Sequence, residues 1–142
     1  MRQEDKELLL KDLCCRLSYK VKCEVNYKEN GKYKTDIMIL KGIMIDTGEG
    51  FFINESGGSI YSKFFKPYLF PLSSMTEEQR EEYESLCIKE TSECTDLYGI
   101  IFSKDYYYDT IESIDYLYKN HIDIRGLIKK DLALDVTGLN IY

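Results

Sequence analysis

Residues 19–28, Tyr19-Lys20-Val21-Lys22-Cys23-Glu24-Val25-Asn26-Tyr27-Lys28, alternate without a break. Tyr19, Val21, Cys23, Val25 and Tyr27 fall on one side and Lys20, Lys22, Glu24, Asn26 and Lys28 on the other, because successive side chains of a strand point to opposite faces. The pattern predicts a half-buried strand. Glu29-Asn30-Gly31-Lys32 follows. Asn-Gly is a strong short hairpin signal, since both residues tolerate positive φ. A second strand is expected from about Tyr33 to Ile45, with Gly42 marking a bulge or bend inside it. Phe51-Phe52-Ile53 begins a third, Ser56-Gly57-Gly58 turns the chain, and Ile60 to Leu72 reads as extended up to Pro67 and Pro71. Short strands at this spacing, one of them bent at glycine, predict a small bent antiparallel sheet or an SH3-like barrel.

On the N-terminal side, residues 4–17 (EDKELLLKDLCCRL) set Leu8, Leu9, Leu13 and Leu17 at helical spacing, with acids in the first turn. After the strands, Thr76-Glu77-Glu78-Gln79 has the form of a capping box and opens a helix over 77–88. Residues 89–108 carry little periodicity; only Leu97 to Phe102 suggests a short strand. Asp109 reads as the cap of a helix striped by Ile111, Ile114, Leu117 and Tyr118, and Asp123 as the cap of a last helix over 124–132 that turns Leu127, Ile128 and Leu132 inward. The tail, Gly138 to Tyr142, is apolar enough to dock on a core. The expected fold class is therefore α+β. One domain over residues 1–142 would combine a helix-plus-sheet part (1–75) with a mainly helical part (76–142).

Two stretches carry a resemblance. Lys66 to Glu78, KPYLFPLSSMTEE, and Ile111 to Leu134, IESIDYLYKNHIDIRGLIKKDLAL, are similar to segments of short uncharacterised proteins of Bacteroides-type bacteria and their phages. In those proteins the first stretch reads close to KPYL-x-P-x-SSMTEEE, and the second is a closing helix followed by D-x-RGLI. The resemblance covers about a quarter of the chain. It implies a gene of a bacterium or phage, often on mobile DNA, and an order of N-terminal helix, strands, then helices. It assigns no activity to any residue.

Charge narrows the partner classes. The net charge is −6, unevenly spread: residues 1–75 hold 12 basic and 10 acidic side chains, residues 76–120 hold 4 and 12, and residues 121–142 three of each. A sequence-independent nucleic-acid binder needs a basic surface to displace counterions, so the middle segment disfavours that partner. The first 75 residues would still allow a small β-barrel to bind nucleic acid through Lys20, Lys22, Lys28, Lys32 and Lys34. No run approaches the ~20 apolar residues of a membrane span. The start, MRQEDKELLLKDL, lacks the form of a signal peptide, so cytoplasmic residence is the expectation. Five cysteines (Cys14, Cys15, Cys23, Cys87, Cys94), odd in number and without CxxC spacing, read as reduced and mostly buried thiols. With one histidine, His121, no metal site is expected and no cofactor is implied.

One motif suggests catalysis. Ile43 to Gly50, IMIDTGEG, runs an apolar strand into Asp46-Thr47-Gly48, as retroviral-type and pepsin-type aspartic proteases do, and Leu97-Tyr98-Gly99 imitates the apolar-apolar-Gly that packs beneath their aspartate. One Asp-Thr-Gly per chain would require a homodimer sharing a proton between two copies of Asp46. Glu49, where those enzymes carry Ala or Ser, and the acidic, largely helical second half argue instead for an ordinary turn. His121, ending a helix, is expected to interact with the helix carbonyls. The remaining feature is aromatic: 13 tyrosines and no tryptophan, with Tyr106-Tyr107-Tyr108 beside acids such as Glu112 and Asp115. Tyrosine gives large, rigid, amphipathic contact area, which suits a protein interface. The expectation is a non-enzymatic accessory or protein-binding module of a mobile element or phage, contacting another protein through Tyr106, Tyr107, Tyr108, Glu112 and Asp115.

Overall fold

The computed structural model describes residues 2–142, which divide into two compact units: the chain up to Ser74 together with Tyr118–Tyr142, and Met75–Leu117 between them. The fold is α+β.

In the first unit, helix α1 (Gln3–Arg16) is followed by five strands: β1 (Lys22–Glu29), β2 (Lys32–Met44), β3 (Glu49–Ile53), β4 (Ser59–Ser62) and β5 (Phe64–Pro71). The alternation read at residues 19–28 is realised: Val21, Cys23 and Val25 are buried, and Lys22 and Glu24 are not. β1 lies between β2 and β5, antiparallel to both. β2 is long enough to pair with β1 over Lys32–Ile39 and with β3 over Ile39–Met44, and the register against β3 slips between Leu40 and Gly42, where the glycine signalled a bulge.

β4 pairs with β3 at one end of this meander, and β5, one residue later, pairs with β1 at the other. The chain bends at Ser62-Lys63-Phe64. The buried Ser62 hydroxyl donates to the Asn26 carbonyl at 2.7 Å and accepts from the Phe64 amide at 3.0 Å. The sheet thus curls strongly yet stays open, because among the described residues β4 and β1 form no ladder. Pro67 sits at the last pair of the β1–β5 ladder, where a missing amide costs least.

The core fills the concave side: Leu9 and Leu13 of α1 meet Val21, Cys23, Val25, Met38, Leu40, Phe52 and Leu69. Each large apolar side chain buried this way is worth about 1.5–3 kcal/mol. Leu8 and Leu17 flank the stripe, half-buried. Leu127, Leu132 and Ala133 join the core from the end of the chain, where β8 (Ile122–Asp123) and β9 (Leu134–Asp135) pair parallel with the half of β5 that β1 leaves free.

The second unit holds α2 (Glu77–Leu86), a hairpin of β6 (Ile88–Thr95) and β7 (Ile101–Tyr108), and most of α3 (Ile111–Lys119). The capping box forms as expected: the Thr76 hydroxyl accepts from the Gln79 amide at 3.1 Å, and the Gln79 side chain accepts from the Thr76 amide at 3.0 Å.

Three local expectations are corrected. Residues 76–142 are not mainly helical, because 88–108 is a hairpin, and Leu97–Ile100 is its turn rather than a strand. The cap of α3 is Thr110, whose hydroxyl accepts from the Ser113 amide at 3.1 Å, one residue after Asp109. Asp123 does cap, accepting from the Leu127 and Ile128 amides at 2.8 and 2.9 Å, but what it opens is one 3-10 turn, Ile128–Lys130. Gly126 at φ +68° breaks the helical path over 124–132, while Leu127 and Leu132 still turn inward.

α1 carries a feature that its sequence disguises. Asp12 and Arg16, one turn apart, are both wholly buried. The Arg16 guanidinium donates to the Asp12 carboxylate at 2.6 and 3.1 Å and to the Ile122 carbonyl at 2.7 Å, and it lies 4.8 Å over the Tyr118 ring. Removing one member would strand a buried charge, which costs roughly 3–5 kcal/mol, whereas an apolar pair of similar volume is far better tolerated. Denaturant titration should therefore find Arg16→Ala destabilised by about 3–5 kcal/mol, and Asp12→Leu with Arg16→Met less so than Arg16→Ala. Equal losses in the two proteins would show that the charges are not paired in a dry site.

Candidate functional site

The second unit is the stronger candidate. Fifteen of the sixteen residues of β6 and β7 are exposed, Cys94 being the exception. Alternation places Ile88, Glu90, Ser92 and Cys94 with Phe102, Lys104, Tyr106 and Tyr108 on one face, and Lys89, Thr91, Glu93 and Thr95 with Ile101, Ser103, Asp105 and Tyr107 on the other. Lys89 pairs with Asp105 at 2.8 Å, and the Lys89 ammonium lies 5.9 Å from the Tyr107 ring centre; on the opposite face, Lys104 sits 5.2 Å from that of Tyr106. The hydrogen bond and charge of Asp105 hold the Lys89 ammonium above its ordinary pKa, and Lys89 holds the Asp105 carboxyl below its own.

The turn is built by Asp96, whose carboxylate accepts from the Tyr98 and Ile100 amides at 2.9 and 2.8 Å. This Asx-type turn thrusts apolar side chains outward: Leu97 is 101% exposed and Tyr98 89%, with Ile100, Ile101 and Phe102 also open to solvent. The structure thus shares Tyr106, Tyr107 and Tyr108 between the two faces of one strand, with Tyr107 apart from its neighbours. Glu112 and Asp115 stand exposed on α3. Sequence reasoning missed the tip: Leu97, Tyr98 and Ile100 read as the apolar residues of a strand.

Asp46 lies exposed in the β2–β3 turn. The Gly48 amide donates to the Met44 carbonyl at 2.7 Å, the Thr47 hydroxyl accepts from the Glu49 amide at 3.2 Å, and Gly48 adopts φ +71° with the Lys6 side chain against it. A side chain at Gly48 would be strained and would meet Lys6, so this is a position only glycine fills well. Leu97-Tyr98-Gly99 belongs to the hairpin turn and has no such packing role there.

The five lysines named from the sequence are divided by the pleat: Lys22 and Lys28 on one face of the β1–β2 hairpin, Lys32 and Lys34 on the other, with Lys20 before β1 at φ +54°. Lys22 donates to the Ile141 carbonyl at 2.8 Å, and Lys34 pairs with Glu29. Only Lys28 joins an open groove of about 890 Å³ beside the bend of β4 and β5, walled by the exposed rings of Tyr33, Tyr61 and Phe64, with Lys63 and Glu49 in its rim.

His121 is buried, not hydrogen-bonded to helix carbonyls. Its ring stacks on Tyr142 at 3.9 Å, and its Nδ1 has no hydrogen-bond partner. The Tyr142 hydroxyl donates to the Tyr68 carbonyl at 2.8 Å and accepts from the Lys22 amide at 3.1 Å, which docks the tail as its composition suggested. Burial and the nearby Arg16 cation push the imidazole pKa down to about 4. Of the cysteines only Cys23 is fully buried, and burial raises its thiol pKa; Cys14 and Cys15 are exposed, against expectation, because α1 turns them away from its Leu9–Leu13 stripe. Among the described residues no group of three or more His, Cys, Asp and Glu is placed to hold a metal, and no helix is long and apolar enough to cross a membrane. The chain matches no protein-family model, no curated protein and no solved structure.

The imidazole sets a pH dependence. A histidine whose folded pKa lies below its unfolded value of about 6.5 supplies stability above that pH that is lost as pH falls toward 4, since the unfolded chain takes up the proton first. Between pH 7 and 5 this amounts to up to about 2 kcal/mol. Urea titrations at the two pH values should show a drop that His121→Gln reduces; the same drop in both proteins would mean that His121 titrates normally in the fold.

Proposed function

We propose that this chain is a non-enzymatic protein-binding module whose docking element is the β6–β7 hairpin, and that it serves as a cytoplasmic accessory protein of a bacterial mobile element or phage. The observation that carries the reading is the hairpin's two-sided exposure, with Leu97, Tyr98, Ile100, Ile101 and Phe102 gathered at its tip. Contiguous apolar surface of this kind marks interaction sites, and tyrosines are enriched among the anchors of interfaces. Residues 75–117 hold three basic against twelve acidic side chains, so the partner surface is basic around an apolar pocket. The resemblance of Lys66–Glu78 and Ile111–Leu134 to short phage and bacterial proteins supports the biological setting.

With the protein immobilised, replacing Tyr106, Tyr107 and Tyr108 by serine should weaken partner capture by about tenfold or more, as should Leu97→Ser with Tyr98→Ser at the tip, both with unchanged circular dichroism. Capture unaffected by either variant refutes this surface. Peptide cleavage that disappears in Asp46→Asn would instead overturn the non-enzymatic reading.

The groove beside β4 and β5 favours a second reading, nucleic-acid binding. Unpaired bases would stack on Tyr33, Tyr61 and Phe64 while Lys28 and Lys63 meet phosphates. The first unit, with sixteen basic and thirteen acidic side chains, opposes this less than the whole chain does. An oligothymidine bound in a salt-sensitive manner, and lost on Tyr61→Ser, would establish it; no binding at low salt would remove it.

A further inference from the structure

β6 hydrogen-bonds to β7 along one side only, and among the described residues nothing pairs with its other edge. A two-stranded sheet is marginal in water, and a free edge of eight residues, Ile88–Thr95, without proline or bulge is a template for another strand. The side chains along that edge say which strand fits.

We propose that a second copy of this chain pairs with β6, antiparallel and two-fold symmetric about Thr91, so that the two hairpins form one four-stranded sheet. Two-fold antiparallel pairing sets same-face residues opposite each other. Centred on Thr91, it puts Lys89 opposite Glu93 of the second copy and Glu93 opposite that copy's Lys89, with the two threonines between them. On the other face Glu90 meets Ser92 and Ile88 meets Cys94. Every facing pair is compatible, and the opposite charges occur twice because the symmetry repeats them.

Neighbouring registers lose this match. Centred on Glu90, the glutamates oppose each other; centred on Ser92, Lys89 and Glu93 face only threonines. β7 offers no equivalent. Its two charged residues, Lys104 and Asp105, are adjacent and so lie on opposite faces, and no two-fold register can bring one against the other. Pairing through β6 leaves β7 and the Leu97–Phe102 tip free, so this inference stands apart from the partner surface proposed above.

Light scattering across a concentration series should give a mass rising toward twice the 16.7 kDa of the chain. Lys89→Glu and Glu93→Lys, each alone, set like charges opposite each other twice and should give monomers of unchanged circular dichroism. Mixed, the two variants restore both charge pairs and should form a heterodimer; one chain carrying both reversals should dimerise with itself. A wild type that stays monomeric up to about 1 mM overturns the proposal. So does a dimer that survives both single reversals, and so do two single variants that fail to combine.

Discussion

A charge that leaves water must find a partner, and in this chain that requirement joins the first helix to the last residues. The Arg16 guanidinium is wholly buried and spends two of its donors on Asp12 and another on the Ile122 carbonyl, 106 residues away. Burying Leu9 and Leu13 in the core therefore forces the same turn of α1 to bury a cation. That cation is tolerable only where β8 brings a backbone carbonyl to it. The same arginine sits close enough to His121 to help keep its imidazole neutral. Neutrality in turn lets that ring stack on Tyr142 and hold the tail over β1 and β5. Such pairs contribute little net stability against an apolar alternative, but they penalise misplaced packing heavily, which favours one arrangement of helix, sheet and tail.

The curl of the sheet has an equally local cause. β1 is shared by two neighbours, while the last strand segment must serve β3 with one half and β1 with the other. Straight strands cannot do both. The chain bends at Ser62, which satisfies the interrupted ladder with its own hydroxyl, and the slip at Leu40–Gly42 lets β2 follow the curvature. The opening left between β4 and the outer half of β1 is where the groove of Tyr33, Tyr61 and Phe64 lies.

What was legible in the sequence follows from burial. Residues 19–28 alternate because one face of β1 enters the core; Asn30-Gly31 and Gly42 declare a turn and a bulge because few other residues accept those geometries; Thr76 and Gln79 announce a helix start because the box needs those two side chains. Where neither face is buried, selection for burial writes no pattern. β6 and β7 meet solvent on both sides, so Lys89 to Tyr108 looks like loop. Asp12 and Arg16 were invisible for a different reason: an acid four residues before a base is the usual mark of an exposed helix face. Gly126 shows a third kind of loss, since one residue of left-handed backbone converts an apparently periodic helix into a turn without disturbing which side chains point inward. At the candidate site the tyrosine run was evident in composition, but its division between two faces needed the register, and the apolar tip needed the turn made by Asp96.

The hairpin therefore combines properties that rarely occur together without use. Its tip is apolar and unshielded, its strands expose both faces, and its surroundings are strongly acidic. In a free chain, bare strand edges and exposed leucine and isoleucine invite indiscriminate pairing, and dense negative charge is the common defence, because like-charged copies repel before edges can meet. Here the defence is uneven. Glu90, Glu93, Asp96 and Asp105 discourage arbitrary approach, while Lys89 and Lys104 break the acidic field at single points. A surface that repels almost every approach but has isolated basic positions selects partners by register as well as by shape. That distinguishes a docking element from an accidental patch: exposure gives the capacity to bind, and the placement of the few cations limits what is bound and in which alignment.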